Sequence, residues 1–203
     1  MAVFDVDGTL TVRDCVVPFA RRVAGTPRLL LASVGRSATL LPLLLRRDRD
    51  AVKELFTRLT FTGRDADEVD RAGVVFADHV YHHWMRRDVA ERFRWHQEQG
   101  HVVVLVSASF DASLEPLGDL LEADAVLCTR LERIGGSLTG RLDGANCRGA
   151  EKVRRIEQWC AESGVPIGAV RYAYGDTAGD AAMLELATHR FDVSELELER
   201  SAP

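Results

Sequence analysis

Three short, mostly apolar runs end abruptly in small polar clusters, and this repetition constrains the fold more than any other feature of the chain. Ala2-Val3-Phe4 runs into Asp5-Val6-Asp7-Gly8-Thr9, residues 102–106 into Ser107-Ala108-Ser109, and residues 170–174 into Gly175-Asp176-Thr177-Ala178-Gly179-Asp180. The unbroken β-branched and leucine run at 102–106 suits a strand buried on both faces of a parallel sheet. Weaker strands are expected at 125–128 and 189–193, with a hairpin punctuated by Gly135, Gly136 and Gly140. Helices are expected at 87–99, 149–163 and 180–186. Strands alternating with helices predict an α/β fold, a doubly wound parallel sheet of Rossmann-like type with helices on both faces. Ligands of such sheets bind outside the carboxyl ends of the strands, where all three polar clusters fall.

The spacing of the first two runs adds a second element. A crossover between parallel strands needs a dozen or so residues, yet about 95 separate these two. Val52, Leu55, Phe56 and Leu59 recur there at helical spacing, and Asp65 stands where it can cap the next helix. Residues 14–84 are therefore expected to form an inserted helical cap, with 1–13 and 85–203 as the catalytic core. Within the insertion the leucine-rich Leu29 to Leu45 is interrupted by Ser33, Arg36, Ser37 and Pro42. It is shorter than the roughly 20 residues of a membrane span, so a buried or partly exposed helix is expected, with shallow membrane contact or an apolar substrate pocket as the alternatives.

A net charge of −5 offers no basic face for nucleic acid. The four cysteines, Cys15, Cys128, Cys147 and Cys160, include no C-x-x-C pair and read as reduced thiols of a cytoplasmic protein. Because the sequence opens directly on what reads as a core strand, no signal peptide is expected.

The clusters carry the chemistry. If the strands are neighbours, Asp5, Asp7, Asp176 and Asp180 converge and repel one another unless a divalent cation lies among them, and Mg²⁺ suits such oxygen ligands. Beside a metal, Asp5 stays ionised and can attack phosphorus as a nucleophile. Asp7 can carry a proton to the leaving oxygen. The competing reading is a plain Asp-Gly turn. Ser107 can donate to a phosphoryl oxygen, or it is simply an N-cap. Lys152, near the start of a helix, can offset phosphate charge or belong to a solvated face with Arg154 and Arg155. Asp176 is the natural metal ligand at its strand end. Asp180, four residues on, can support a metal-bound water, pair with Lys152, or merely favour a helix N-terminus.

Taken together, Asp5-Val6-Asp7-Gly8-Thr9, Ser107, Lys152 and Gly175-Asp176-Thr177-Ala178-Gly179-Asp180 resemble the four ordered motifs of the haloacid dehalogenase superfamily. The helical insertion after the first motif resembles the cap of its phosphoserine phosphatase-like members. Asp14 with Pro18-Phe19, and the stretch Asn146-Cys147-Arg148-Gly149-Ala150-Glu151-Lys152, resemble its IB subfamily. The resemblance implies that Asp5 is the nucleophile and Asp7 the general acid/base. It places Mg²⁺ on Asp5, Asp176 and the main-chain carbonyl of Asp7. It places phosphate at Ser107, Ala108, Lys152, Gly8 and Thr9, with Asp180 in support and Asp14 and Arg58 as cap residues that read the substrate.

The expected activity is Mg²⁺-dependent hydrolysis of a small phosphorylated metabolite through an aspartyl-phosphate on Asp5. Phosphoryl transfer, as in the mutases of the superfamily, and a non-catalytic phosphate-binding regulatory module are the alternatives. Three departures from the phosphoserine phosphatases disfavour phosphoserine itself. Asp14 is one methylene shorter than their usual Glu, Ala108-Ser109-Phe110 replaces glycines after the serine, and Gly179 replaces an asparagine.

Overall fold

The computed structural model describes residues 1–26, 42, 45 and 48–193. Most of Leu29 to Leu45 lies outside the described residues. Among the described residues, six strands form one sheet in the order β4-β3-β2-β1-β5-β6. They are β1 (Ala2–Phe4), β2 (Val103–Phe110), β3 (Ala125–Ile134), β4 (Ser137–Asp143), β5 (Tyr172–Gly175) and β6 (His189–Asp192). All neighbours are parallel except β3 and β4, the hairpin pair.

The helices are α1 (Val16–Ala24), α2 (Arg49–Phe61), α3 (Ala66–His83), α4 (Arg87–Glu98), α5 (Asp111–Leu120), α6 (Ala150–Ser163) and α7 (Ala181–Leu186). The side-chain alternation of the strands divides the interior. Ala2, Phe4, Val103 and Leu105 face one apolar cluster, while Val3, Val104 and Val106 face another that includes Ile156 of α6 and Met183 of α7. Each central strand is thus apolar on both faces, which is why its sequence runs without polar interruption. The rings of Phe4, Tyr174 and Phe191 stack across β1, β5 and β6 at 4.3 and 4.6 Å. His96 is buried against this stack and is satisfied by Tyr174 Oη at 3.0 Å and His101 Nδ1 at 2.8 Å.

The register fixes where the strands stop. Phe4 pairs with Leu105 on one side and Tyr174 on the other, so Asp5, Val106-Ser107 and Gly175-Asp176 emerge together. Between them β1 has one neighbour that continues outward to β3 and another that continues to β6, the switch point at which open sheets hold ligands.

The helices between β1 and α4 enter and leave side by side. Val12 N–H donates to Trp84 O and Arg86 N–H to Leu10 O, both at 2.8 Å, and Thr11 bridges Met85. This helical segment is not apolar-free at its base. Phe19, Phe61, Phe76 and Val80 belong to the same buried cluster as Phe4 and Leu105, and Phe61 meets Phe110 of β2 edge-on at 5.0 Å. On its far side the segment is fastened to the hairpin, where Gly63 N–H donates to Leu138 O and Ala66 N–H to Gly136 O. All four cysteines are buried and free. Among the described residues, no helix is long and apolar enough to cross a membrane.

Candidate active site

The site grows from the end of β1. After Asp5 the chain makes a wide turn over residues 6–10, closed by Thr11 N–H donating to Val6 O at 2.9 Å. Gly8 sits in this turn at φ 87°, and its Cα lies so close to Asp176 that a β-carbon there would overlap Oδ2. Glycine is required here both by the left-handed backbone and by the approach. The turn brings Thr9 to Asp176, whose Oδ1 accepts the threonine hydroxyl at 3.1 Å.

Lys152 reaches the floor of the site from the first turn of α6. It is 2% exposed, and its Nζ donates to Asp5 Oδ1 at 2.6 Å, Asp180 Oδ1 at 2.6 Å and Val106 O at 2.7 Å. All three ammonium hydrogens are therefore spent. Burial works against the charge on Lys152, but the carboxylates of Asp5 and Asp180 outweigh it and raise its pKa above the ordinary lysine value. Burial pushes the Asp5 carboxyl up to about 7; Lys152 opposes this, while Asp180 and Asp7 add to it. Asp180 is also opposed by burial, yet Lys152 and the hydroxyl of Thr177 hold it below the usual carboxylate range. Its Oδ2 accepts from Thr177 Oγ1 at 2.7 Å and Thr177 N at 3.1 Å.

Asp7 stands on the other side of Asp5, held by donors at both oxygens. Cys15 N–H reaches Oδ1 at 2.7 Å, and the hydroxyls of Ser107 and Ser109 reach Oδ2 at 2.9 and 2.7 Å. The serines share a face because they are two apart on β2. The register of β2 against β3 shifts between Ser107 and Phe110, and Ser109 N–H turns back onto Ser107 Oγ at 2.9 Å. A hydroxyl can turn to donate or accept, so this pair can follow the proton state of Asp7.

One carboxylate oxygen each from Asp5, Asp176 and Asp180 lie within 4.8 Å of one another. Burial raises the pKa of Asp176 too, with Asp180 contributing. Asp180 has both oxygens engaged, so Asp5 and Asp176 are the acids with donor capacity to spare. An all-oxygen donor set with crowded acids fits a hard divalent cation.

The structure brings Asp5, Asp7, Gly8, Thr9, Ser107, Ala108, Lys152, Asp176 and Asp180 into this one cluster. Thr9 and Ser107 spend their hydroxyls on Asp176 and Asp7, so each orients an acid rather than standing free. Asp14 is on the connector to α1, where its Oδ1 accepts Val17 N–H at 3.1 Å. Burial raises its pKa, and Asp7 is the next cause. Arg58 is not brought to the cluster. It is exposed on the side of α2 that faces Glu132, Gly140 and Arg141. Lys53 occupies the inner face instead, since five residues turn a helix by roughly 140°.

Lys53 was not visible as a site residue, and neither was Ser109. Lys53 Nζ donates to Ala108 O at 2.8 Å and lies 4.0 Å above the Phe110 ring. Burial lowers its pKa to about 8, against the pull of Asp7, Asp14 and Asp50. Ser109 could have been found from its i, i+2 spacing to Ser107. Nothing local marks Lys53 among the charges of α2.

The haloacid dehalogenase-like hydrolase family matches over residues 2–185. The chain is 32% identical over 191 residues to protein CicA of Caulobacter vibrioides, covering 94% of this chain and 84% of that one. It is 28% identical over 192 residues to a probable phosphatase of Mycobacterium tuberculosis, covering 93% of this chain and 66% of that one. Its fold matches a substrate-bound phosphoserine phosphatase with a TM-score of 0.63 at 20% identity, covering 92% of this chain and 81% of the other.

Proposed function

This chain is an enzyme of the haloacid dehalogenase-like hydrolase family, and on that premise we propose that it is a Mg²⁺-dependent phosphatase that hydrolyses a small phosphomonoester through an aspartyl-phosphate on Asp5. The observation that carries this reading is the pairing of Asp5 with the buried Lys152 ammonium while Asp7 is fixed beside it by Cys15, Ser107 and Ser109. One acid thereby lies against a cation that favours its ionised form. The other is held by groups that tolerate either proton state.

Asp5 attacks phosphorus in line, forming the P–O bond of the acyl-phosphate as the bond to the ester oxygen breaks. Asp7 delivers its proton to that departing oxygen. A water molecule then attacks the same phosphorus from the vacated side, giving its proton to Asp7, and the bond to Asp5 breaks to release orthophosphate. Lys152 stays charged throughout, because two carboxylates face it, and so offsets charge on the phosphoryl group. Mg²⁺, held by Asp5, Asp176 and the main-chain carbonyl of Asp7, would supply further neutralisation of the phosphoryl oxygens when bound. The helical segment between β1 and α4 acts as a cap that keeps bulk water from the acyl-phosphate, with Lys53 reaching across to the turn of Ser107 and Ser109.

Asp5→Asn is the decisive variant. It keeps the side chain's shape and removes the nucleophile, so turnover of p-nitrophenyl phosphate should fall below detection while the melting temperature stays near the wild-type value. Substantial remaining turnover rejects Asp5 as nucleophile. Chelation of divalent cations should silence the wild type, and undiminished activity in the chelator rejects the metal requirement.

A further inference from the structure

We propose that Arg148 is a substrate-binding residue that gives its guanidinium hydrogens to the phosphoryl oxygens, from a slot that exists because residue 179 has no side chain. The inference rests on the phosphomonoester reading of the site and adds a residue to it.

Gly179 is buried although it lies on a surface turn between Asp176 and Asp180, and the group that covers it is the Arg148 guanidinium. A β-carbon at 179 would lie 3.1 Å from Nε, 3.1 Å from Nη2 and 3.2 Å from Cζ. The Nε–Cζ–Nη2 edge of the guanidinium is thus packed against the glycine. Among the described residues, no carbonyl or carboxylate accepts from the side chain, although it is half-buried. Every other cation of the site is engaged: Lys152 by two acids and a carbonyl, Lys53 by Ala108.

The position is built, because both backbones are pinned. Gly149 N–H donates to Gly179 O at 3.0 Å, and Arg148 N–H to Asn146 O at 2.7 Å. Asn146 is itself held by Thr129 and by Asp50 of the helical segment. Arg148 thus stands one turn ahead of Lys152, beside the residue that precedes Asp180. Charge points the same way. A phosphomonoester brings about two negative charges to a site already crowded with carboxylates, where Lys152 is occupied by Asp5 and Asp180. A planar fork of donors is the group best matched to phosphoryl oxygens.

Orthophosphate binding measured by calorimetry on the whole chain with Mg²⁺ tests the assignment without needing turnover. Arg148→Ala should weaken orthophosphate about tenfold and raise KM for p-nitrophenyl phosphate by a similar factor, with kcat changed less than about threefold and the melting temperature nearly unchanged. Arg148→Lys should recover only part of the loss, because an ammonium lacks the fork. Gly179→Asn should weaken binding in the wild-type background, by displacing the guanidinium, and improve it in the Arg148→Ala background, where the slot is vacant and an amide can fill it. An unchanged affinity for orthophosphate in Arg148→Ala overturns the inference, as does a wild type that does not bind orthophosphate. A wild type that binds orthophosphate and loses it in Arg148→Ala, yet hydrolyses no ester, sustains the inference and rejects the proposed reaction.

Discussion

Two lysines approach the proposed catalytic turn from opposite sides, and their surroundings have opposite effects. Lys152, from the core, meets two carboxylates and a carbonyl, and its pKa is raised against the cost of burial. Lys53, from the helical segment, meets one carbonyl and the face of a phenyl ring, and burial brings its pKa down to about 8. An ammonium with anionic partners is a permanent fixture of the floor. An ammonium with neutral partners is held at a cost, and the cost is relieved by losing either the proton or the contact. The floor of the site is built to stay charged, whereas the roof is built to let go.

Removing the floor lysine should have the largest effect. Lys152→Met leaves Asp5 and Asp180 facing each other without a cation. Truncating one partner of a buried ion pair costs about 3–5 kcal/mol. Urea denaturation at pH 8 should show a loss of that order, and activity should fall at least ~10²-fold. The sign of its pH dependence follows from Asp5, whose pKa is already raised in the folded state. A raised carboxylate favours folding at low pH and loses that contribution as pH rises through its folded value, so the deficit should narrow from pH 8 towards pH 5. A deficit below ~1 kcal/mol at pH 8 would break the contrast between the two lysines.

How far each lysine could be read from sequence follows the same division. The floor is made of groups at strand ends, and strand ends are marked by where apolar runs stop, as at Phe4, Val106 and Tyr174. Lys152 could be placed because it opens a helix within a recognisable run of residues. The strand β2 nevertheless continues to Phe110, past the point where its apolar pattern breaks, so the pattern presents Ser109 as loop rather than as the second serine on one face. The roof has no such marker. Lys53 lies between Val52 and Glu54 on a helix with charges on several faces, and only the docking of α2 against Phe110 singles it out. Arg58 carried the expected charge on the same helix but faces Glu132 and Arg141. The contact of Thr9 with Asp176 spans 167 positions and has no local signature.

The roof lysine should show a smaller effect with a distinct pH signature. A lysine whose folded pKa lies below its unfolded value of 10.5 penalises folding at neutral pH, and the penalty fades as pH rises between the two. Lys53→Met should therefore be no less stable than wild type at pH 7, and the wild type should gain on it by roughly 2 kcal/mol between pH 8 and 10.5. Activity should carry an alkaline limb near pH 8 that Lys53→Arg lacks. A flat stability difference across that range would mean that Lys53 is as firmly charged as Lys152.

The smallest expected effect sharpens this assignment without touching the lysine. Asp50 is exposed, accepts from Asn146 Nδ2 at 2.8 Å, and is among the charges that raise the Lys53 pKa. As an exposed partner it should contribute little to stability, within about 0.5 kcal/mol on Asp50→Ala. Its charge should still be felt by the ammonium one turn away. The alkaline limb of the pH–rate profile should move to lower pH in Asp50→Ala, by a few tenths of a unit, because the lysine then loses its proton more easily. The same substitution in Lys53→Arg should leave the profile where it was, since a guanidinium does not titrate in this range. A shift that persists in that background would assign the limb to a group other than Lys53 and remove the reason to regard the roof as the releasable side of the site.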